Sequence, residues 1–138
     1  MFQLDPAFEA SSAPVIDLSL CAVRLQLDAR FAWLILIPRQ PGLVEIEDLS
    51  AADRAVLMDE ILAAGRAVRA VGEAWGRPVL KLNIGALGNI TRQLHVHVVG
   101  RREGDDAWPG PVWGQGAAVA PGDDALRAAL SAARTSLA

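Results

Sequence analysis

A chain of 138 residues, 52% hydrophobic and 21% charged, is long enough to bury a core without disulfides or metals and too apolar to stay disordered. Its formal net charge of −3 lacks the basic excess that binding along a phosphate backbone requires, so a nucleic acid polymer is not the expected partner. The lone Cys21 cannot close an internal disulfide, no basic-apolar leader opens the chain at Met1-Phe2-Gln3-Leu4-Asp5, and the longest wholly apolar run, Phe31 to Ile37, is too short to cross a bilayer. A soluble cytoplasmic protein with no membrane contact is the expectation, with Cys21 a small core residue rather than a nucleophile.

Taken in order, the chain opens with a short helix or arm at Pro6 to Ala10. From Val15 to Leu27 apolar residues partly alternate, Val23, Leu25 and Leu27 against Arg24 and Gln26, which predicts a half-exposed strand. Asp28-Ala29-Arg30 supplies a turn. Phe31 to Ile37 is apolar on both faces, as a central strand is, and Pro38 ends it because proline has no N–H for the ladder. These two segments predict a hairpin.

Arg39 to Leu49, with Pro41-Gly42, is a connection leading to Ser50 and Asp53, which fit the S-x-x-D form of a helix start. Leu57, Ile61, Ala64, Val68, Val71 and Trp75 then recur in steps of three and four, one apolar stripe of a long helix, before Gly76 and Pro78 end it. Val79 to Ile84 and Ile90 to Val99 predict a second hairpin about a tight turn at Gly85 to Asn89. Beyond Arg102 a loop rich in Pro, Gly, Asp and Trp precedes a final helix, which Asp123 or Asp124 is placed to cap, with Leu126, Leu130 and Ala133 on one side. The expected fold is α+β. A single domain over 1–138 holds an antiparallel sheet of about five strands, one long helix and a C-terminal helix, with residues 102–138 as a loop and helix extension.

Both histidines fall in Gln93-Leu94-His95-Val96-His97-Val98-Val99. With a period of two, Gln93, His95 and His97 share one face of a strand, spaced by about 6 to 7 Å, and Leu94, Val96 and Val98 share the other. Such a row is either an exposed polar face or a site. The upstream pattern N-x-G-x-x-G-N, from Asn83 to Asn89, favours a site, because glycine lets backbone approach a ligand and asparagine offers donors and acceptors. Three chemistries are open. Zinc needs at least three protein ligands where the pair supplies two, so no metal is expected. A serine or cysteine nucleophile lacks any G-x-S-x-G or poised thiol. Imidazole can itself attack phosphorus, its neighbour on the same face binding a phosphate oxygen or helping the leaving group.

Asn83-x-Gly85, Gly88-Asn89 and Gln93-Leu94-His95-Val96-His97-Val98-Val99 together resemble the signature of the histidine triad (HIT) superfamily, His-φ-His-φ-His-φ-φ with φ apolar. The resemblance runs from about Cys21 to Arg101, taking in the Trp33 to Arg39 strand and the long helix. The tail Trp108-Pro109-Gly110-Pro111-Val112-Trp113-Gly114 resembles a bacterial branch. It implies that His95 attacks the α-phosphate of a purine nucleotide substrate to give a nucleotidyl-histidine, that His97 binds the phosphate or bridging oxygen, and that Asn83 contacts phosphate or leaving group. Gly88 and Asn89 are further substrate contacts, Asn89 standing where the family more often has Gln.

Gln93 replaces the first histidine, which in the family helps orient the nucleophile; an amide can donate or accept but carries no proton at neutral pH. Asp28 is the candidate for the ribose hydroxyls, against backbone hydrogen bonding at a turn. Trp113 is the candidate for the base, against packing on the sheet. Arg101 is either a phosphate-attracting or a solvated charge. The resemblance also implies a homodimer and no cofactor. Dinucleoside polyphosphate hydrolysis, nucleoside phosphoramidase activity and nucleotidyl transfer are the candidate reactions, with a non-catalytic nucleotide-binding or regulatory protein as the alternative.

Overall fold

The stretch that is apolar on both faces lies at the middle of the sheet in the computed structural model, which describes residues 1–138. The elements are α1 (Pro6–Ser11), β1 (Ser12–Asp17), β2 (Cys21–Gln26), β3 (Trp33–Pro38), a 3-10 turn (Ile46–Asp48), α2 (Ala51–Ala74), β4 (Lys81–Gly85), β5 (Val96–Arg101) and α3 (Asp123–Leu137). The five strands form one antiparallel sheet in the order β1-β2-β3-β5-β4. Each strand side chain can face only one side. Leu34 and Leu36 of β3, Val23 and Leu25 of β2, and Val96 and Val98 of β5 face α2 and α3. Trp33, Ile35, Ile37 and Val99 face the other way, where Phe8 of α1 and Val112 of the loop after β5 cover them.

The long helix starts as expected, with the Ser50 hydroxyl accepting from the Asp53 N–H at 3.1 Å. Leu57, Ile61, Ala64, Val68 and Val71 are buried, and Trp75 ties α2 to α3 through its Nε1–H on the Ala125 carbonyl at 2.9 Å. Gly76 follows in the left-handed conformation that glycine adopts without strain (φ 67).

Three expectations are corrected. The single strand over Val15 to Leu27 is two strands, β1 and β2, reversed at Leu18 to Leu20. No Gly or Pro marks this turn. It is closed by the Leu18 N–H on the Cys21 carbonyl (2.8 Å) and by the carboxylate of Glu60 in α2, which accepts from the N–H of Leu20 and of Cys21 (2.7 and 2.9 Å). Nor is β2 half exposed: Arg24 is buried, its guanidinium donating to the hydroxyl and carbonyl of Ser12. Cys21 is buried too, and desolvation with the Glu60 carboxylate beside it pushes its thiol pKa up, away from nucleophilic character.

The second correction concerns the histidine strand, which begins at Val96 rather than Ile90; residues 86–95 are an open loop instead of a tight turn. Its partner β3 ends at Pro38, and the Leu94 N–H donates to the Leu43 carbonyl instead (3.0 Å). Third, Gly122 and not an aspartate is the N-cap of α3. Asp123 and Asp124 occupy its first turn, where negative charge suits the helix dipole.

Gly72 sits where α2 meets the chain entering β4. A Cβ there would stand 2.8 Å from the Arg77 carbonyl oxygen and 2.8 Å from Val79 Cγ2. Alanine gains about 1 kcal/mol of helix propensity over glycine, whereas forcing backbone aside costs about 1–3 kcal/mol. Gly72→Ala should therefore lower the urea denaturation midpoint; an unchanged or higher midpoint would show that the α2–β4 junction yields freely.

Candidate functional site

The alternation that sets the core also sets the site. Leu94, Val96 and Val98 face the helices, so His95 and His97 point to the other side of the sheet, where both are buried and their rings meet edge to face with centroids 4.8 Å apart. His97 lies in the ladder between Ile35 of β3 and Gly85 of β4.

The two rings are held in opposite tautomers. His95 Nδ1 is 2.7 Å from the Gln93 carbonyl oxygen, which can only accept, so Nδ1 carries the proton and Nε2 keeps its lone pair. His97 Nδ1 lies 3.0 Å from Trp33 Nε1, which can only donate, so in the neutral ring the proton is on Nε2. Neither Nε2 has a partner in the chain, and Trp113 Nε1 is the one buried side-chain nitrogen or oxygen without a hydrogen bond; both Nε2 atoms are therefore open to solvent. Burial, and secondly the charge of the adjacent His95, bring the His97 pKa down to about 4, so this ring is neutral at physiological pH. The pair thus offers a lone pair beside an N–H donor.

Both rings line a cavity of about 370 Å³ whose wall also holds Trp33, Trp113, Val112, Asp28, Arg30, Gln26 and the loop from Leu87 to Thr91. Gly88 is in the left-handed conformation (φ 74). The chain from Arg102 to Gly122 straps across this face and is pinned at both ends. The Asp105 carboxylate accepts from Arg101 at 2.8 and 3.0 Å and from the N–H of Arg102, Ala107 and Trp108. At the far end the Asp28 carboxylate accepts from Arg30 and from the Val119 N–H, while Arg30 also donates to the Gln115 carbonyl. These donors hold both carboxyls below the usual carboxylate range against the opposing effect of burial.

Of the residues singled out in the sequence, His95, His97, Gly88, Asn89, Asp28 and Trp113 share this one cavity. Asp28 lines the cavity, and both its oxygens already accept hydrogen bonds, from Arg30 and from the Val119 N–H. Trp113 likewise packs on the sheet, edge to face with His97 and Trp33, and still forms cavity wall. Its ring passes over Gly85, where a Cβ would stand 3.2 Å from Cη2.

Asn83 and Gln93 are not on that wall. Asn83 Oδ1 accepts from Arg101 Nη1 at 2.8 Å. Gln93 turns its amide to the N-terminal arm and borders, with His95 and Gly88, an adjoining hollow of about 190 Å³ that also holds Glu45, Glu47 and Arg92. Arg101 is neither a phosphate ligand nor a solvated charge: it is buried against Asp105. No group of three His, Cys, Asp or Glu side chains is placed to hold a metal ion.

Sequence reasoning missed Trp33, Phe8 and Arg30. Trp33 had one available signal, an indole N–H in a buried strand that needs an acceptor. Phe8, whose ring meets His95 edge to face at 4.8 Å, had none.

Residues 7–104 match the family model of the HIT domain. Among solved structures the chain is similar to a histidine triad (HIT) protein of Sinorhizobium meliloti 1021, at 42% identity over 99% of this chain and 98% of that one, with a TM-score of 0.90. It is similar to a histidine triad protein of Bradyrhizobium japonicum, at 39% identity over 99% and 98% of the two chains, with a TM-score of 0.92. A histidine triad protein of Marinobacter aquaeolei VT8 shares 33% identity over 99% and 96%, with a TM-score of 0.87. No curated protein matches the chain by sequence.

The depressed His97 pKa has a measurable sign. Between about pH 4 and the unfolded value of about 6.5 the unfolded chain binds more protons than the folded one, so stability falls as pH falls through that window, by about 3 kcal/mol from this group. Nitrogen-15 NMR should show the His97 ring with its proton on Nε2 at pH 7 and a titration midpoint near 4. A midpoint near 6.5 would contradict it.

Proposed function

The chain belongs to the HIT family, a superfamily of nucleotide-binding proteins and hydrolases, and on that premise we propose that it is a nucleotide hydrolase or nucleotidyl transferase with His95 as nucleophile. One observation carries this reading: the Nε2 lone pair of His95 and the Nε2–H of His97 open side by side to one cavity. The His95 lone pair attacks the α-phosphorus of a purine nucleotide, a P–N bond forms and the bond to the leaving group breaks, a leaving amine taking up a proton from solvent in the open cavity. Positive charge developing on the ring is met by the Gln93 carbonyl at Nδ1–H. Neutral His97 donates from Nε2 to a phosphate oxygen, with the left-handed backbone at Gly88 and the amide of Asn89 on the same wall. Water or another acceptor then attacks phosphorus, the P–N bond breaks and the nucleotide leaves. Trp113, Val112 and Leu87 supply an apolar side for the base, and Asp28 lies on the wall for the ribose.

The charges around the cavity rank the candidate reactions. Arg30 is neutralised by Asp28, and in the adjoining hollow Arg92 faces two acids, Glu45 and Glu47. Three acids against two arginines suit neither the charge of a polyphosphate bridge nor its need for several cationic contacts. A nucleoside phosphoramidate, with one phosphate charge and an amine to expel, fits better.

Incubation with an adenosine phosphoramidate and with an adenine dinucleoside polyphosphate tests both points. The wild type should release AMP from the phosphoramidate about tenfold faster or more, and should carry acid-labile label. His95→Ala should lose detectable turnover, since removal of a nucleophile costs about a millionfold in kcat. AMP binding with no turnover of either substrate would replace this reading with a non-catalytic nucleotide-binding protein.

The homodimer is proposed on a separate observation. β4 is an edge strand, and Ile84 on it, Leu80 just before it, and Met58 and Leu62 on α2 are each more than half exposed. An edge strand with flanking exposed apolar side chains is a template for pairing with a second copy. Ile84→Lys should convert a dimer to a monomer in sedimentation velocity; a monomeric wild type would remove the proposal.

A further inference from the structure

Gln93 stands at the first position of the motif, yet its side chain makes no hydrogen bond to either histidine. Its Oε1 accepts from the Asp5 N–H at 2.9 Å and its Nε2 donates to the Gln3 carbonyl at 2.8 Å. One amide thus pairs the backbone on both sides of Leu4, as a residue of a neighbouring parallel strand pairs with the residues before and after its partner. Asp5, held in this way, fixes the start of α1: its carboxylate accepts from the Ala7 N–H at 2.9 Å and its carbonyl from the Phe8 N–H at 3.0 Å. Phe8 is thereby placed with its buried ring edge to face against His95, at 4.8 Å and 69°. From the other side, the backbone carbonyl of Gln93 holds His95 Nδ1.

We propose that Gln93 is a positioning residue whose side-chain amide clips residues 3–5 to the sheet, so that the N-terminal arm seats Phe8 as a wall that fixes the His95 ring. The proposal rests on the reading of His95 as nucleophile. An amide is suited to this task because its acceptor and donor project side by side and match an N–H and a C=O two residues apart. The two nitrogens of an imidazole diverge, and a carboxylate has no donor, so neither His nor Glu reproduces the clip. Orientation of the nucleophile comes from outside the cavity, and no proton on residue 93 is needed for attack.

The test uses full-length Gln93→Ala, Gln93→Glu, Gln93→His and Phe8→Leu. Hydrogen exchange at the Asp5 amide should rise about tenfold or more in all three Gln93 variants and stay unchanged in Phe8→Leu. The His95 ring resonances should shift in every variant, from loss of the Phe8 ring current and of a single ring orientation. The rate of the first turnover should fall about tenfold or more, with KM within about twofold, because misplacing a reacting group raises the barrier more than it weakens binding. If the alanine variant does not fold, the near-isosteric Gln93→Glu carries the comparison. A freed arm with unmoved His95 resonances would overturn the proposal and leave the clip a purely structural contact. An inactive wild type whose His95 resonances still respond to Gln93→Ala would overturn the assignment of His95 as nucleophile and leave the positioning geometry standing.

Discussion

A side chain on a strand has one side of the sheet and no other, and that constraint carries the rest of this structure. Leu94, Val96 and Val98 are committed to the layer formed by α2 and α3, which leaves His95 and His97 on the opposite face. A slip of one residue would drive both imidazoles into the apolar core and put the valines in the cavity. The register is pinned from both sides, by Ile35 and by Gly85 across from His97. It also selects the neighbours of the imidazole. Trp33 pairs with Val99, so it stands diagonal to His97, within reach of a long aromatic side chain, and its indole N–H meets Nδ1. The tautomer of His97 is thus a consequence of strand register.

Burying the second face of the sheet demands a cover, and two ion pairs hold it. Buried ion pairs give little net stability unless the remaining oxygens and N–H groups are also satisfied. Asp105 meets that condition with Arg101 and three backbone N–H groups, and Asp28 with Arg30 and the N–H of Arg30 and Val119. Their product is geometric. They set the path of the strap between them, and with it the position of Val112 and Trp113 over the sheet. Gly85 completes the fit, since a Cβ there would stand 3.2 Å from Trp113 Cη2 and press on the ring.

How much of this was legible in the sequence follows from how local each cause is. The apolar stripe of α2, the Ser50 cap, the middle strand and the facing of His95 and His97 arise from neighbours within a turn of helix or along a strand, and they read directly. The reversal between β1 and β2 does not, because it is stabilised by Glu60, forty residues away, with no Gly or Pro to mark it. A motif gives positions and not directions. Gln93 sits two residues before His95, as a strand alternation requires, but the strand starts only at Val96, and the side chain follows the N-terminal arm. Arg101 reads as a phosphate-attracting or a solvated charge, and neither reading anticipates Asp105, a loop residue that accepts from the arginine while the arginine donates to the Asn83 amide oxygen. Trp33 is hidden by its own context, since a strand apolar on both faces shows no phase from which to pick the side that meets the histidines.

The walls of the cavity are far apart in the chain. The hydrogen bonds from Gln93 to the N-terminal arm span 88 and 90 residues, and the one from the Val119 N–H to Asp28 spans 91. Closing such loops carries more entropic cost than forming a hairpin, growing with the logarithm of loop length, and contacts of long sequence separation slow folding. The scaffold shares this feature, for Arg134 of α3 reaches the carbonyls of Val15 and Pro14 in β1 across 119 and 120 residues. The chamber around the histidines comes into being only once residues 3–8 and the strap that ends near Val119 have both returned to the same face of the sheet.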